Sequence, residues 1–468
     1  MTMAGCRTDN EVGRMPRVAI VGGGPGGLFT AWHLEQLAPV PLQLTIFEAA
    51  SRLGGKVLTP AFSGAPVHYE AGAAEFYDYS PIDEDPLRTL VESLGLPTVG
   101  LAGASVHIAG RPIANIDDIR DAFGPDAHRD LLAFDTWARS AMTPREFYES
   151  GTDETASAVP GGRFDAALAA IASQDIRHYL EAMIHSDLAT PPPTTTAAYG
   201  LQNYLMNDPA YMRLYCIAGG NEQLITALAT RLAATVRLAT RVVSIGAGTE
   251  ASLRLTTVQD GQEEAGEFDV VVLALPMDAL TQLSFTDDQL TAAMQRHIAH
   301  HDHPAHYLRI TVLLDRPIGS AAGDDGYLML DAFGGCCLYV ESGREPDARH
   351  GVLGWLLGGA VAAEMADLPD GELVSAALRS LPEAFATCRD HVLEARVHRW
   401  IGAVNAVPGG WQPLPQDRRH RPAIASHPEL FVVGDYLYDS TLNGVLDSAE
   451  YVAGWVAAEL TGTDGDAS

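Results

Sequence analysis

Lysine is almost missing from this chain. Of the 30 basic residues in 468, only Lys56 is a lysine, and 60 Asp and Glu residues outweigh the basic ones to give a formal net charge of −30. Nucleic acid and anionic membrane surfaces are held by positive charge, so this balance argues against both as partners. It modestly favours a cationic small molecule, although most of the acid is read as solvated surface. Cysteine is also scarce. Cys6, Cys216, Cys336, Cys337 and Cys388 are odd in number and irregular in spacing, which excludes a disulfide framework and suits a reducing compartment, the cytoplasm. No apolar run reaches the roughly 18 to 20 residues that span a bilayer, no signal-peptide layout opens the chain, and no internal repeat is present.

Hydrophobic residues make up 47% of the chain, enough at this length to bury large cores, most naturally in two domains. The densest information lies in 17–56. A β-branched run at 18–21 is followed by Gly22, Gly24 and Gly27 on the G-x-G-x-x-G spacing, then by an amphipathic segment at 28–37 and a second strand at 42–47 that ends at Glu48. Gly22 permits the tight turn, Gly24 lets a pyrophosphate approach the backbone, and Gly27 lets the helix pack on its strand. Phosphates then sit at the unpaired N–H groups of the helix start, and Glu48 accepts hydrogen bonds from ribose hydroxyls. The layout predicts a dinucleotide-binding βαβ unit.

The residues after Glu48 narrow the choice. Arg52-Leu-Gly54-Gly55-Lys56 resembles the second signature of the flavin-containing amine oxidase superfamily, which includes monoamine and polyamine oxidases, L-amino acid oxidases, protoporphyrinogen oxidase and the carotenoid desaturases. Lys56 stands where that family usually has arginine; it keeps the charge and loses the fork of donors. Further segments resemble the family in the same order: Glu70-Ala-Gly72-Ala73-Ala74, Gly219-Gly220-Asn221, the strand around Val243, the buried run at 268–276, and Gly434-Asp435 with Gly444-Val445-Leu446 near the end. The resemblance implies an α/β fold: a Rossmann-like FAD-binding domain of the glutathione reductase type with an interleaved α+β substrate domain. It implies FAD held along Gly22, Gly24, Gly27, Glu48, Arg52, Gly54, Gly55, Lys56, Val243, Gly434, Asp435, Val445 and Leu446. In monoamine oxidases the flavin is attached through a cysteine shortly before the last motif. Cys336 and Cys337 lie too early for that, so noncovalent FAD is expected.

The flavin motifs occupy 16–80, 205–282 and 396–462, which gives a discontinuous FAD domain after a loose tail at 1–15. The intervening 81–204 and 283–395 are expected to form the substrate domain. The first of these reads as largely helical, at 85–94, 117–123, 128–141 and 163–184, with 189–196 breaking regular structure. The second alternates as strands at 307–314, 327–330, 338–341 and 352–357, then turns helical over 372–386.

Many amine-oxidising relatives carry a lysine on a substrate-domain strand, where it holds a water beside the flavin. The comparable strand here has none, and Arg309 and His306 are the candidates for its place. Trp400 is the candidate for one wall of the flavin pocket, and Tyr436 and Tyr438 for lining the site. Arg111, Arg163, Arg213 and Arg309 are candidates to clamp a substrate carboxylate. His297, His300, His301, His303 and His306 form a histidine-rich connection; no metal site is expected there, since H-E-x-x-H or a similar motif is lacking.

These features lead to an FAD-dependent oxidoreductase that takes hydride from a C–N bond of an amine or amino acid, as in bacterial specialised metabolism, with a small-molecule substrate and no nucleic-acid or membrane partner. A homodimer is left open. Two alternatives stay beside it: a C–C desaturase of the protoporphyrinogen oxidase or carotenoid desaturase type, and a noncatalytic flavin-binding partner subunit.

Overall fold

The computed structural model describes residues 14–149, 162–249, 251–318, 326–341, 349–407, 411, 413–437 and 440–461. Three sheets organise them. The first is parallel throughout, in the spatial order Leu430–Val432, Val270–Leu273, Arg17–Val21, Gln43–Phe47 and Thr235–Arg237. Its central strands are apolar on both faces because both faces are covered, the pattern parallel sheets require. On one face lie helices Pro25–Leu37 and Leu442–Thr461, where Leu28, Ala31 and Leu34 share a core with Ala449, Val452, Ala453 and Val456. Helix Asp288–His301 contributes Leu290, Ala293 and Met294 to the core that covers Ala19 and Leu273.

A second sheet of four strands runs Gln262–Phe268, Leu253–Gln259, Arg241–Ala247 and Ser284–Phe285. The third, of nine strands, gathers pieces from much of the chain: Val392–Asn405, Pro304–Leu314, Gly351–Gly358, Cys336–Val340, Gly326–Leu330, Thr98–Ile108, Arg213–Ile217 and Phe76–Asp78 in spatial order, with Arg111–Ile113 paired to Thr98–Ile108. Phe164, Leu168, Ile176 and Leu180 from the helical stretch share a core with Met329, Cys337 and Tyr339 of this sheet. Another core joins Trp355 and Leu353 to Leu373, Ala377 and Phe385. Cys336 and Cys337 are buried strand residues.

Some elements differ from the sequence expectation. The stretch 163–184 is two helices, Phe164–Ala169 and Gln174–Leu188. The chain restarts at Ser173, whose side chain accepts from the Ile176 N–H at 3.4 Å and whose own N–H donates to Asp130 at 2.7 Å. The helix expected over 372–386 covers Asp370–Arg379 and gives way to 3₁₀ turns at Glu383–His391, after Pro382, which cannot extend a helix. Ala189 takes a left-handed conformation at φ 52° and ends helix Gln174–Leu188 inside the expected break.

Candidate active site

The glycine turn is built as its spacing requires. Gly22 has φ +113°, and a Cβ there would lie 2.3 Å from the Ala274 carbonyl oxygen; its N–H donates to Phe47 O at 2.8 Å. A Cβ at Gly27 would lie 2.0 Å from Gly22 O, so only glycine lets helix Pro25–Leu37 sit this close to its strand. Gly24 is the N-cap of that helix and faces Gly55 across a narrow gap, with Gly55 Cα 3.9 Å from the Cβ position. The Glu48 carboxylate is aimed by two backbone donors, Gly23 N–H at 2.8 Å and Ala50 N–H at 2.7 Å.

Gly22, Gly24, Glu48 and Gly55 line a cavity of about 850 Å³, with Gly27 packed behind them. It runs from Thr240, Arg241 and Val243 past Gly22, Gly24, Glu48, Gly55 and Lys56 to Gly434, Asp435 and Val445. It continues past Gly72, Ala73 and Trp400 to a second end lined by Glu75, Tyr77, Asp187, Tyr199 and Tyr307. Val243 sits in a bulge: the register to the neighbouring strand jumps from Val242 to Ser244, so Val243 has no ladder partner there. Helix Leu442–Thr461 sets Val445 near Gly26, where a Cβ would be 3.5 Å from Val445 Cγ1.

Lys56 joins three distant segments. Its ammonium donates to Ala403 O and pairs with Asp435 at 3.0 Å. Trp400 Nε1–H donates to Ala71 O at 2.7 Å and its ring lies against Gly72. The bond ties strand Val392–Asn405 to the segment before Ala73.

Other expected residues are placed elsewhere. Arg52 caps its own loop, donating to Leu53 O at 2.9 Å and Gly55 O at 2.7 Å, and is not among the residues lining the cavity. Gly54, at φ +103°, packs against Val57 O and Ile225, and Leu446 is buried in the core behind the cavity. Arg309 is fully buried: it pairs with Glu341, donates through Nε to Glu70 O at 3.1 Å and stacks 4.4 Å from the Tyr339 ring, outside the cavity lining. His306 accepts the Gly402 N–H at Nδ1, 3.0 Å, and is also outside it. The residue of that strand that does reach the cavity is Tyr307, opposite Trp400 in the strand register. Alternation along the strand signals this, since 305, 307 and 309 share a face, yet the sequence does not show that Arg309 is already taken by a partner on another strand. Tyr436 is buried in the core, and Tyr438 lies outside the described residues.

None of Arg111, Arg163, Arg213 or Arg309 lines the cavity. Its lining cations are Lys56, tied to Asp435, and Arg241, beside Val243. The far end instead carries two carboxylates. Glu75 accepts from Tyr339 OH at 2.8 Å. Asp187 stands at the end of helix Gln174–Leu188, and burial, reinforced by the Glu75 charge, pushes its carboxyl up to about 7. Neither residue is identified by the sequence motifs, because they come from separate segments that only the fold brings together. No cysteine among the described residues lines the cavity, which fits a noncovalently held cofactor. His297 and His301 are buried on helix Asp288–His301, and among the described residues no group of three His, Cys, Asp or Glu is placed to hold a metal ion.

The glycine cradle, the aimed acid, the bulge at Val243 and the size of the cavity fit a dinucleotide cofactor. This defines a flavin-dependent oxidoreductase. The model of the flavin-containing amine oxidoreductase family matches residues 25–457, and the chain belongs to that family. FAD is its cofactor.

Among solved structures, the chain is similar to cyclohexylamine oxidase from Brevibacterium oxydans IH-35A, with 18% identity, a TM-score of 0.71, and 96% of this chain and 100% of that one covered. It is also similar to a double mutant of putrescine oxidase, with 17% identity, a TM-score of 0.70, and 96% and 99% covered. Both likenesses show the fold. Tryptophan 2-monooxygenase from Rhizobium rhizogenes is 38% identical over 103 residues, which is 20% of this chain and 13% of that protein's length. Among the described residues, no helix is long and apolar enough to cross a membrane.

Proposed function

We propose that the protein is an FAD-dependent oxidase or dehydrogenase that removes hydride from the C–N bond of an amine rather than an amino acid. One observation carries this reading: the end of the cavity beyond Gly72 and Trp400 presents Glu75 and Asp187 among tyrosines, and no arginine among the described residues lines it. A carboxylate substrate would meet two like charges there and no bidentate partner. An ammonium meets two anions and aromatic faces, both of which attract it.

The site assignments follow. Gly22, Gly24, Glu48, Gly55 and Val243 hold the adenine dinucleotide portion, and Lys56, Asp435 and Val445 hold the part nearer the ring. FAD, when bound, supplies the hydride acceptor. Trp400 and Tyr307 form the wall across which the substrate carbon is presented, and the tyrosines narrow the far end. Free buried cysteines and the excess of acid suit a cytoplasmic enzyme without a nucleic-acid partner.

The test is an anaerobic panel of amines and amino acids on the purified yellow protein, following the flavin band at about 450 nm before and after air is admitted. Bleaching by amines and not by their α-carboxylated counterparts is the expected result, and rapid return of colour in air marks an oxidase. Preferential bleaching by amino acids overturns the amine assignment. A protein bleached by no C–N substrate returns the weight to desaturation or to a noncatalytic role.

A further inference from the structure

Resting on the amine reading above, we propose that Asp187 is the proton acceptor of the reaction: it meets the substrate as an ammonium beside Glu75 and takes one proton from its nitrogen before hydride leaves the adjacent carbon.

The chemistry requires such a group. An alkylammonium holds its nitrogen lone pair in an N–H bond, and that pair must be free to form the C=N bond as hydride departs. The step is R–CH₂–NH₃⁺ plus the Asp187 carboxylate giving R–CH₂–NH₂ plus the Asp187 carboxylic acid. FAD, when bound, would supply the hydride acceptor; the nitrogen pair that Asp187 has freed can then close the C=N bond, and Asp187 returns its proton to solvent.

The geometry points to Asp187 for this task. It is next to last in helix Gln174–Leu188, at the negative end of the helix dipole, a poor place for an anion. Its main-chain carbonyl accepts from Tyr307 OH at 3.3 Å, and Tyr307 lies opposite Trp400 in the strand register. Asp187 is therefore fixed beside the wall that presents the substrate carbon. Its carboxylate makes no hydrogen bond or ion pair with any described residue, although it lines the cavity.

Among the described residues, nothing around it offsets the charge. From the segment after Gly72 comes Glu75, a second carboxylate, with Tyr77 beside it. Tyr199, Tyr307, Tyr327 and Tyr339 face it from one helix and three strands, and the phenols of Tyr307, Tyr327 and Tyr339 are held neutral first by burial and further by the two carboxylates. The Cys337 thiol is held neutral in the same way. His185, on the same helix, bonds Gly358 O and is kept neutral by burial. Arg309, a fully buried cation on this sheet, is already bound to Glu341, Glu70 O and the Tyr339 ring. The missing countercharge is supplied by the substrate. Glu75, anchored by Tyr339 OH, remains the fixed anion that holds the cation while Asp187 gains and loses its proton.

Anaerobic stopped-flow bleaching of the FAD-loaded full chain tests this, with benzylamine, cyclohexylamine and 1,4-diaminobutane as probes across pH 6 to 10. Wild type is expected to show a rate that rises with pH through a limb near 7. Asp187→Asn is expected to slow bleaching at pH 7 by about 100-fold or more, within the usual worth of a positioned base, and to recover only where the free amine is abundant in solution. Asp187→Glu keeps the limb, and Glu75→Gln raises the half-saturating amine concentration about tenfold and moves the limb to lower pH, because the Glu75 charge that helps raise Asp187 is gone.

If amines bleach wild type and Asp187→Asn keeps both limb and rate within about threefold, Asp187 is not the acceptor, while the amine reading stands. The same holds if Glu75→Gln, and not Asp187→Asn, removes the limb. If no probe bleaches wild type, the amine reading falls and this proposal with it. Unchanged FAD content and unfolding midpoint in Asp187→Asn separate the chemical role from a structural one.

Discussion

Lys56 shows how much one side chain can be asked to hold. It follows the glycine loop, reaches the carbonyl of Ala403 on a strand of the large sheet and pairs with Asp435 after the closing strand of the parallel sheet. A third of its side chain stays accessible, against 13% for Asp435, so the pair is worth less than a fully buried one. Its loss still leaves an acid in the cavity without a cation, beside a cofactor that carries phosphates. Lys56→Met is expected to weaken FAD binding by about tenfold, or about 1.4 kcal/mol, measured by titrating the apoprotein with FAD. Lys56→Arg keeps the charge and is expected to recover most of it. A variant that retains full affinity as methionine would show that Asp435 is satisfied some other way.

Elements are positioned by a buried polar network centred on Glu70. Its carboxylate accepts from the Asn221 N–H at 2.9 Å, at the start of helix Glu222–Ala229, and from Thr59 Oγ1–H at 2.9 Å; its N–H donates to Glu341 at 3.2 Å and its carbonyl accepts from Arg309. The segment that carries Gly72 and Ala73 along the cavity is thereby pinned to two strands of the large sheet and to one helix. Glu341→Gln keeps the shape and leaves the Arg309 charge buried without compensation, which is expected to cost about 3–5 kcal/mol in urea unfolding of the FAD-loaded protein. Bleaching by a saturating amine should change little, because Arg309 does not line the cavity; a large loss of rate without loss of stability would restore Arg309 as a candidate catalytic group. Legibility in the sequence divides along the same line. The glycine turn, Glu48 and the flanking strands were readable because backbone geometry ties residue type to local spacing. Trp400 was readable through a resemblance. The fate of Arg309, the inward face of Tyr307 and the meeting of Glu75 with Asp187 depend on which strand or helix lies opposite, a relation between separate segments that local spacing does not encode.

Across the whole molecule, buried histidines set the response to acid. His297, His301 and His420 are 3%, 0% and 0% exposed, and burial lowers them to about 3, 2 and 4. Neither ring nitrogen of His297 or His301 meets a hydrogen-bond partner among the described residues. Because their folded values lie below the unfolded value of about 6.5, their contribution is complete above pH 6.5 and is lost as pH falls. Each costs about 2 kcal/mol by pH 5, since the unfolded chain takes up protons that the folded one refuses. Other groups run the other way, Asp85 and Glu459, raised first by burial, among them. Asp187, raised to about 7, is relieved by protonation in the folded state as pH falls. His427 would be lowered by burial, but Asp287 and Glu429 at 3.0 and 3.1 Å raise it, so it gains charge on folding. The losses at these three histidines, joined by His33, His107, His185 and His398, which burial also lowers, outweigh these gains and leave a net fall in the unfolding midpoint between pH 6.5 and 5. Replacing His297 by Leu and His301 by Phe removes two of the largest losses, and the midpoint of that variant is expected to fall less over the same window than that of wild type. An acid limb as steep as that of wild type would place the acid response elsewhere in this strongly anionic chain.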